Sequence, residues 1–211
     1  VAQGSAVAVI GPNGHGKTTL LRCISGLVAL TSGEVRFGGS SLVGMSVEGI
    51  ASQGLVHVVQ GDNNFPEMTV HDNLVVSAHL RGSSDEINRC LEEVHALFPK
   101  LLERSKQIAG TLSGGENRML SIGRGLMAGG RLLLLDEPSL GLAPVVIDHI
   151  YEAIAKLKEK GVTIVIVEEN ASKVVDLVDK IYLLDDGQFV WEGTPDELEM
   201  QREVVETYLG G

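Results

Sequence analysis

Residues 11–19 read Gly11-Pro12-Asn13-Gly14-His15-Gly16-Lys17-Thr18-Thr19, and 11–18 match G-x-x-x-x-G-K-[ST] in full. The glycines let backbone N–H groups turn inward around phosphate oxygens. A helix directly behind the loop adds the positive end of its dipole. In that setting the Lys17 ammonium reaches the β- and γ-phosphates, and the Thr18 hydroxyl ligates Mg2+. This is the chemistry of nucleoside-triphosphate binding.

Two further groups complement the loop. The run Leu132-Leu133-Leu134-Leu135 is followed by Asp136-Glu137-Pro138. A buried strand of that composition delivers its two carboxylates to its carboxyl end, where α/β sheets place their sites. Asp136 suits Mg2+ held through water, and Glu137 suits polarising an attacking water. Phosphoryl transfer needs positioning and charge stabilisation more than covalent chemistry, so one oriented carboxylate suffices. Leu112-Ser113-Gly114-Gly115-Glu116 places small residues at a helix start, which again suits phosphate. A single nucleotide does not fill both loops. The second makes sense if it serves a nucleotide held by another copy of the chain.

The elements that must position these groups follow from periodicity. Residues 6–10 form a short apolar strand feeding the phosphate loop, with Leu20, Leu21 and Ile24 at helical spacing behind it. Residues 33–39 with Ser40-Ser41 read as strand and turn, and 55–59 as a buried strand ended by Gln60 and Gly61. Residues 132–135 and 162–167 are further buried strands, and 181–184 and 188–191 flank the hairpin signal Asp186-Gly187. Helices are expected over 73–80, over 85–97 with Ser84 as N-cap, over 115–127, and from Pro144 to a stop at Gly161. Thr194-Pro195-Asp196-Glu197 is a capping box that opens a final acidic helix. Strands alternating with helices predict an α/β fold with a mostly parallel sheet. Residues 70–106 hold no strand candidate. They are expected to form a helical subdomain inserted into a core of residues 1–69 and 107–211, with the 112–116 segment just after it.

The composition narrows the class. At 211 residues, 44% hydrophobic and 21% charged, the chain suits one globular domain with a small appendage and excludes disorder. Lys+Arg number 17 against 28 Asp+Glu, and aromatics are only 4%, so a basic nucleic-acid face is not expected. Residues 185–211 hold eight acids and one base, most of the net −11. Cys23 and Cys90 are isolated thiols, which fits a reducing compartment. No apolar run approaches the roughly 18 residues of a membrane span. The expectation is a soluble cytoplasmic chain without a signal peptide. The histidines at 15, 57, 71, 79, 95 and 149 form no i,i+4 pair, so no zinc site is expected.

The phosphate loop, Gln60, LSGGE and the LLLLDEP strand, with the helical insert between the second and third, resemble the ABC-transporter ATPase family in order and spacing. The resemblance covers essentially the whole chain. It implies a P-loop NTPase fold, with ATP and Mg2+ as ligands and ATP hydrolysis as the activity. It implies that Gly11, Pro12, Asn13, Gly14, His15, Gly16, Lys17, Thr18 and Thr19 bind the nucleotide. Thr18, Gln60 and Asp136 would serve the metal, and Glu137, Gln60 and Lys17 catalysis. Ser113, Gly114 and Gly115 would reach ATP bound to the opposite protomer of a head-to-tail dimer. The stretches GPNGHGKTTLL, LSGGENRML and LLLLDEPSLGLAP, with Pro66, Thr69 and Asn73, are similar to ATPase subunits of branched-chain amino acid importers. Urea and amide importers share this texture. The implied partners are a second ATPase protomer, integral membrane permease subunits contacted through residues 61–80, and indirectly a periplasmic or extracellular binding protein. The implied location is peripheral, on the cytoplasmic face of the membrane.

Three positions depart from the family pattern. Glu169 stands where the family has its switch histidine, and a carboxylate there is repelled by a γ-phosphate where a histidine donates to it. Slow hydrolysis, or a Glu169 turned away, is the expectation. Ala143 replaces an aspartate found in many members. The family's adenine-stacking aromatic before the phosphate loop has no counterpart, so a chain trimmed at its start, with weakened ATP affinity, is expected. An alternative is a soluble ABC ATPase acting on nucleic acid or ribosomes. The single phosphate loop, single LSGG, compact insert and acidity oppose it. A non-hydrolysing regulator, suggested by Glu169, is opposed by the intact Lys17, Asp136 and Glu137.

Overall fold

Continuous apolar runs become the strands of one sheet because both of its faces are covered. The computed structural model describes residues 1–61, 63–79 and 81–201. The sheet order is β4 (Leu55–Val58), β5 (Leu132–Asp136), β6 (Thr163–Glu168), β1 (Ala6–Ile10), β7 (Lys180–Asp185) and β8 (Gln188–Gly193). Neighbours pair in parallel except β7 and β8, which form the hairpin expected at Asp186-Gly187. Asp186 has φ 43°, the left-handed conformation that a tight hairpin requires. A small antiparallel pair, β2 (Arg36–Phe37) and β3 (Ser40–Ser41), stands apart from the sheet.

Successive side chains of a strand point to opposite faces, and the core divides accordingly. Ala6, Ala8, Ile10, Leu133, Leu135, Ile164 and Ile166 pack on one face with residues of the helices α3, α4, α6 and α7. Those helices are Val70–Ser77, Ser84–Leu97, Gly114–Met127 and Pro144–Glu159. Val9, Leu134, Val165 and Val167 face the other way, against Leu21 of α1 (Lys17–Ile24) and Ile50 of α2 (Val47–Ser52). Between residues 70 and 103 the described elements are the helices α3, α4 and α5 (Pro99–Glu103). Leu74, Val94, Phe98 and Leu101 are buried in the same cluster as Leu120 and Ile122 of α6.

Several local expectations are corrected. The N-cap of α4 is Ser83, whose side chain accepts from the Glu86 N–H, and Ser84 is already helical. Helix α3 begins at Val70 because Thr69 caps it through the Asp72 N–H. The expected end at Leu80, and residues 202–211 of the acidic tail, lie outside the described residues. Helices α2 and α5 were not expected at all. The Thr194–Glu197 capping box is present and opens α8 (Pro195–Met200). No helix among the described residues is long and apolar enough to cross a membrane.

Candidate functional site

The parallel register brings the carboxyl ends of β1, β4, β5 and β6 to one edge of the sheet, where strand order reverses around β1. Gly11 leaves β1 in contact with β7. A Cβ there would sit 2.1 Å from the Leu184 carbonyl oxygen, so only glycine fits. The loop ends at Gly16, the N-cap of α1, with φ 99° and no side-chain cap. The first-turn N–H groups of α1 therefore take no side-chain acceptor from their cap residue, an arrangement suited to an anion. His15 Nδ1 lies 2.7 Å from Asp185 Oδ1 and 3.1 Å from the Asp186 nitrogen, which ties the loop to the β7–β8 turn.

Lys17 is 3% exposed. Its ammonium donates to the Gly11 carbonyl at 2.7 Å and the Pro12 carbonyl at 3.0 Å. Its nitrogen lies 3.7 Å from Glu137 Oε1. The Thr18 hydroxyl donates to Asp136 Oδ1 at 3.0 Å. Asp136 Oδ2 is buried and has no hydrogen-bond partner among the described residues. Burial raises the Asp136 pKa, against the Thr18 hydrogen bond and the charges of Arg22, Arg118 and Lys17. Gln60 reaches across from the end of β4 and donates Nε2–H to Glu137 Oε2 at 3.3 Å. Burial also raises the Glu137 pKa. Lys17 opposes the rise, while Asp136, Glu168 and Glu169 add to it. Five predicted residues from three chain segments thus converge: Lys17, Thr18, Gln60, Asp136 and Glu137.

Glu137 has φ 45°, a left-handed conformation that costs about 1–3 kcal/mol in a non-glycine residue. Its N–H donates to the Val167 carbonyl at 3.0 Å, which extends the β5–β6 ladder by one residue. Arg118 donates to the Glu137 carbonyl at 3.4 Å and to the Val59 carbonyl at 3.2 Å, bridging the Gln60 and Glu137 segments. The strain is held in place from both sides.

The LSGGE segment is positioned differently. Ser113 caps α6, accepting the Glu116 N–H, while Glu116 accepts the Ser113 N–H. That hydrogen bond holds the Glu116 pKa down. Gly115 lies against α7, where a Cβ would meet Val146 Cγ1 at 2.3 Å. Among the described residues no hydrogen bond joins Ser113, Gly114 or Gly115 to residues 11–19 of the same chain. Gly114, Gln60, Arg118 and Leu140 instead line an open cleft of about 470 Å3. Glu169, at the departing position, is exposed.

Sequence reasoning missed Arg118, and it missed the buried carboxylate of Glu168, 2% exposed at the end of β6. The available signal for Glu168 was its place at the end of an unbroken β-branched run, where the preceding strand residues are all buried.

A parallel sheet that carries a phosphate loop after its first strand and an acidic strand end beside it defines a P-loop nucleotide hydrolase. The family model described as "ABC transporter" matches residues 1–140. The high-affinity branched-chain amino acid transport ATP-binding protein BraG of Pseudomonas aeruginosa is 42% identical over 211 residues, covering 100% of this chain and 90% of that protein. The probable branched-chain amino acid transport ATP-binding protein LivF of Archaeoglobus fulgidus is 35% identical over 94% of this chain and 84% of its own length. A crystal structure of the ADP conformation of an ATP-binding cassette of an ABC transporter superposes with TM-score 0.83 at 29% identity, covering 98% of this chain and 88% of that one. The chain belongs to the ABC transporter family, as a nucleotide-binding, ATP-hydrolysing member.

Proposed function

We propose that this chain is the ATP-hydrolysing subunit of an importer for branched-chain amino acids or related amides. The observation that carries the reading is the convergence of Lys17, Gln60, Asp136 and Glu137 at one sheet edge, in a chain 42% identical end to end to a branched-chain amino acid transport ATP-binding protein.

Residues 11–19 hold the triphosphate, with the loop N–H groups and the α1 N-terminus supplying donors and Lys17 the counter-charge. The unpartnered Asp136 oxygen beside the Thr18 hydroxyl is a hard-oxygen donor pair that fits Mg2+. Bound there, Mg2+ would neutralise charge on the β- and γ-phosphates. Glu137, with Gln60 at its carboxylate, orients and polarises the attacking water. Ser113, Gly114 and Gly115 serve the nucleotide of a second protomer, so hydrolysis belongs to a head-to-tail dimer. Residues 70–106 act as a helical subdomain on the core of 1–69 and 107–211. A groove of about 500 Å3 bordered by Val58, Phe65, Val76 and Arg124 is the seat for a membrane permease subunit. Phe65, Met68, Val75 and Val76 expose 36–44% of their surface at this face. A binding protein outside the membrane acts through the permease, and the chain is peripheral on the cytoplasmic face.

The test is uptake of labelled leucine, isoleucine and valine in cells lacking the chain. Wild type restores uptake and Glu137→Gln does not. Unimpaired uptake in the deletion, with ATPase stimulated by DNA or ribosomes, would transfer the reading to a non-transport ATPase.

A further inference from the structure

Glu168 is 2% exposed, lies immediately behind the strained Glu137, and takes no part in the reading above. Pro138 has no N–H, so the first backbone donor after Glu137 is that of Ser139. That N–H donates to Glu168 Oε1 at 3.1 Å. The same oxygen accepts the Tyr151 hydroxyl from α7 at 2.7 Å. Lys173 donates to Ser139 Oγ at 2.8 Å, and its nitrogen lies 4.0 Å from Glu168 Oε2. A buried carboxylate is tolerated only where donors and a cation converge on it, and here they converge on the turn that follows Glu137. Burial, with the Glu168 charge adding to it, pushes the Tyr151 phenol well above its ordinary range, so Tyr151 remains a donor.

We propose that Glu168 is a positioning residue for ATP hydrolysis. By accepting the Ser139 N–H and the Tyr151 hydroxyl, it fixes the 137–139 turn and so aims the Glu137 carboxylate at the attacking water. The backbone of Glu137 is then anchored by Val167 ahead of it, by Arg118 at its carbonyl and by Glu168 behind it. Glu168 touches neither nucleotide nor water and acts through Glu137. The proposal rests on Glu137 being the residue that polarises water.

The experiment compares Glu168→Ala, Glu168→Gln, Tyr151→Phe and Glu137→Gln in the full chain. It measures steady-state ATPase with Mg2+, fluorescent-nucleotide affinity and thermal midpoint. Misplacing a catalytic group by about 1 Å costs on the order of 10²-fold, so Glu168→Ala lowers kcat by that order. Tyr151→Phe lowers kcat about tenfold, and both variants leave KM and nucleotide affinity within about twofold of wild type. Glu168→Gln, whose amide oxygen still accepts both donors, recovers kcat to within about fivefold of wild type. Unchanged kcat in Tyr151→Phe and Glu168→Ala, with Glu137→Gln inactive, overturns the positioning role alone. Loss of kcat and nucleotide affinity in step with the thermal midpoint also overturns it. Wild-type hydrolysis by Glu137→Gln overturns both this role and the assignment of Glu137. Tyr151→Phe removes only a hydroxyl and keeps the test decisive if Glu168→Ala does not fold.

Discussion

Lys17 Nζ and Glu137 Oε1 lie 3.7 Å apart, with side-chain exposures of 3% and 10%. The ammonium offsets the buried Glu137 directly and, behind Arg22 and Arg118, adds to the charge that offsets Asp136. Removing one partner of a buried pair leaves the other uncompensated, at about 3–5 kcal/mol. Lys17→Met is therefore expected to lower the thermal midpoint as well as to abolish nucleotide binding. Calorimetry and a fluorescent-nucleotide titration read the two effects separately. An unshifted midpoint would mean that the pair contributes nothing to the fold.

Glu137→Gln keeps the shape of the side chain and an oxygen to accept from Gln60, but removes the base. A positioned general base contributes about 10²–10⁴-fold, so kcat is expected to fall by at least 10²-fold. Nucleotide binding persists, and ATP accumulates on a dimer that size-exclusion chromatography detects. A variant that hydrolyses like wild type would remove Glu137 from the reaction.

Glu169→His tests the departure at the switch position. Glu169 is exposed, yet its charge is among those that raise the Glu137 pKa. Replacing it removes a repulsion toward the γ-phosphate and adds a donor. Turnover is expected to rise on the order of tenfold, less than a fully preorganised donor supplies. Equal turnover in both proteins would show that position 169 has no part in the chemistry.

Much of this site is legible from local sequence, for a physical reason. The phosphate loop, the LLLLDEP strand and the Thr194–Glu197 capping box are each made within a few residues, so their spacing carries the geometry. Helix α2 has one buried residue, Ile50, and helix α5 has only Leu101, so neither generates a period to read. Two adjacent serines compete to cap α4, and the extended backbone at Ser83, φ −143°, decides between them. The Glu168 network is invisible for a different reason. Its partners Ser139 and Tyr151 lie 29 and 17 residues away; the parallel register of β5 and β6 brings the first to it, and the packing of α7 on the sheet brings the second.

His57 provides a pH test of the fold, independent of nucleotide. It lies on β4 with Nδ1 2.9 Å from Ser25 Oγ, and its Nε2 is buried without a hydrogen-bond partner among the described residues. Burial, reinforced by Arg22, lowers its pKa from 6.5 to about 4. Below pH 6.5 the unfolded chain takes a proton that the folded chain refuses, so protonation favours unfolding. Stability from this group is complete above pH 6.5 and is lost progressively as pH falls toward 4. Over that whole window the loss is roughly 3 kcal/mol, a large fraction of the stability of an ordinary domain. Thermal midpoints measured from pH 7.5 down to 4.5 are expected to fall more steeply in wild type than in His57→Gln, which carries no titrating ring. Parallel curves would place the acid sensitivity elsewhere, with Asp136 and Glu137 excluded by sign. Their raised values make them take protons more readily when folded, and that would stabilise the protein as pH falls.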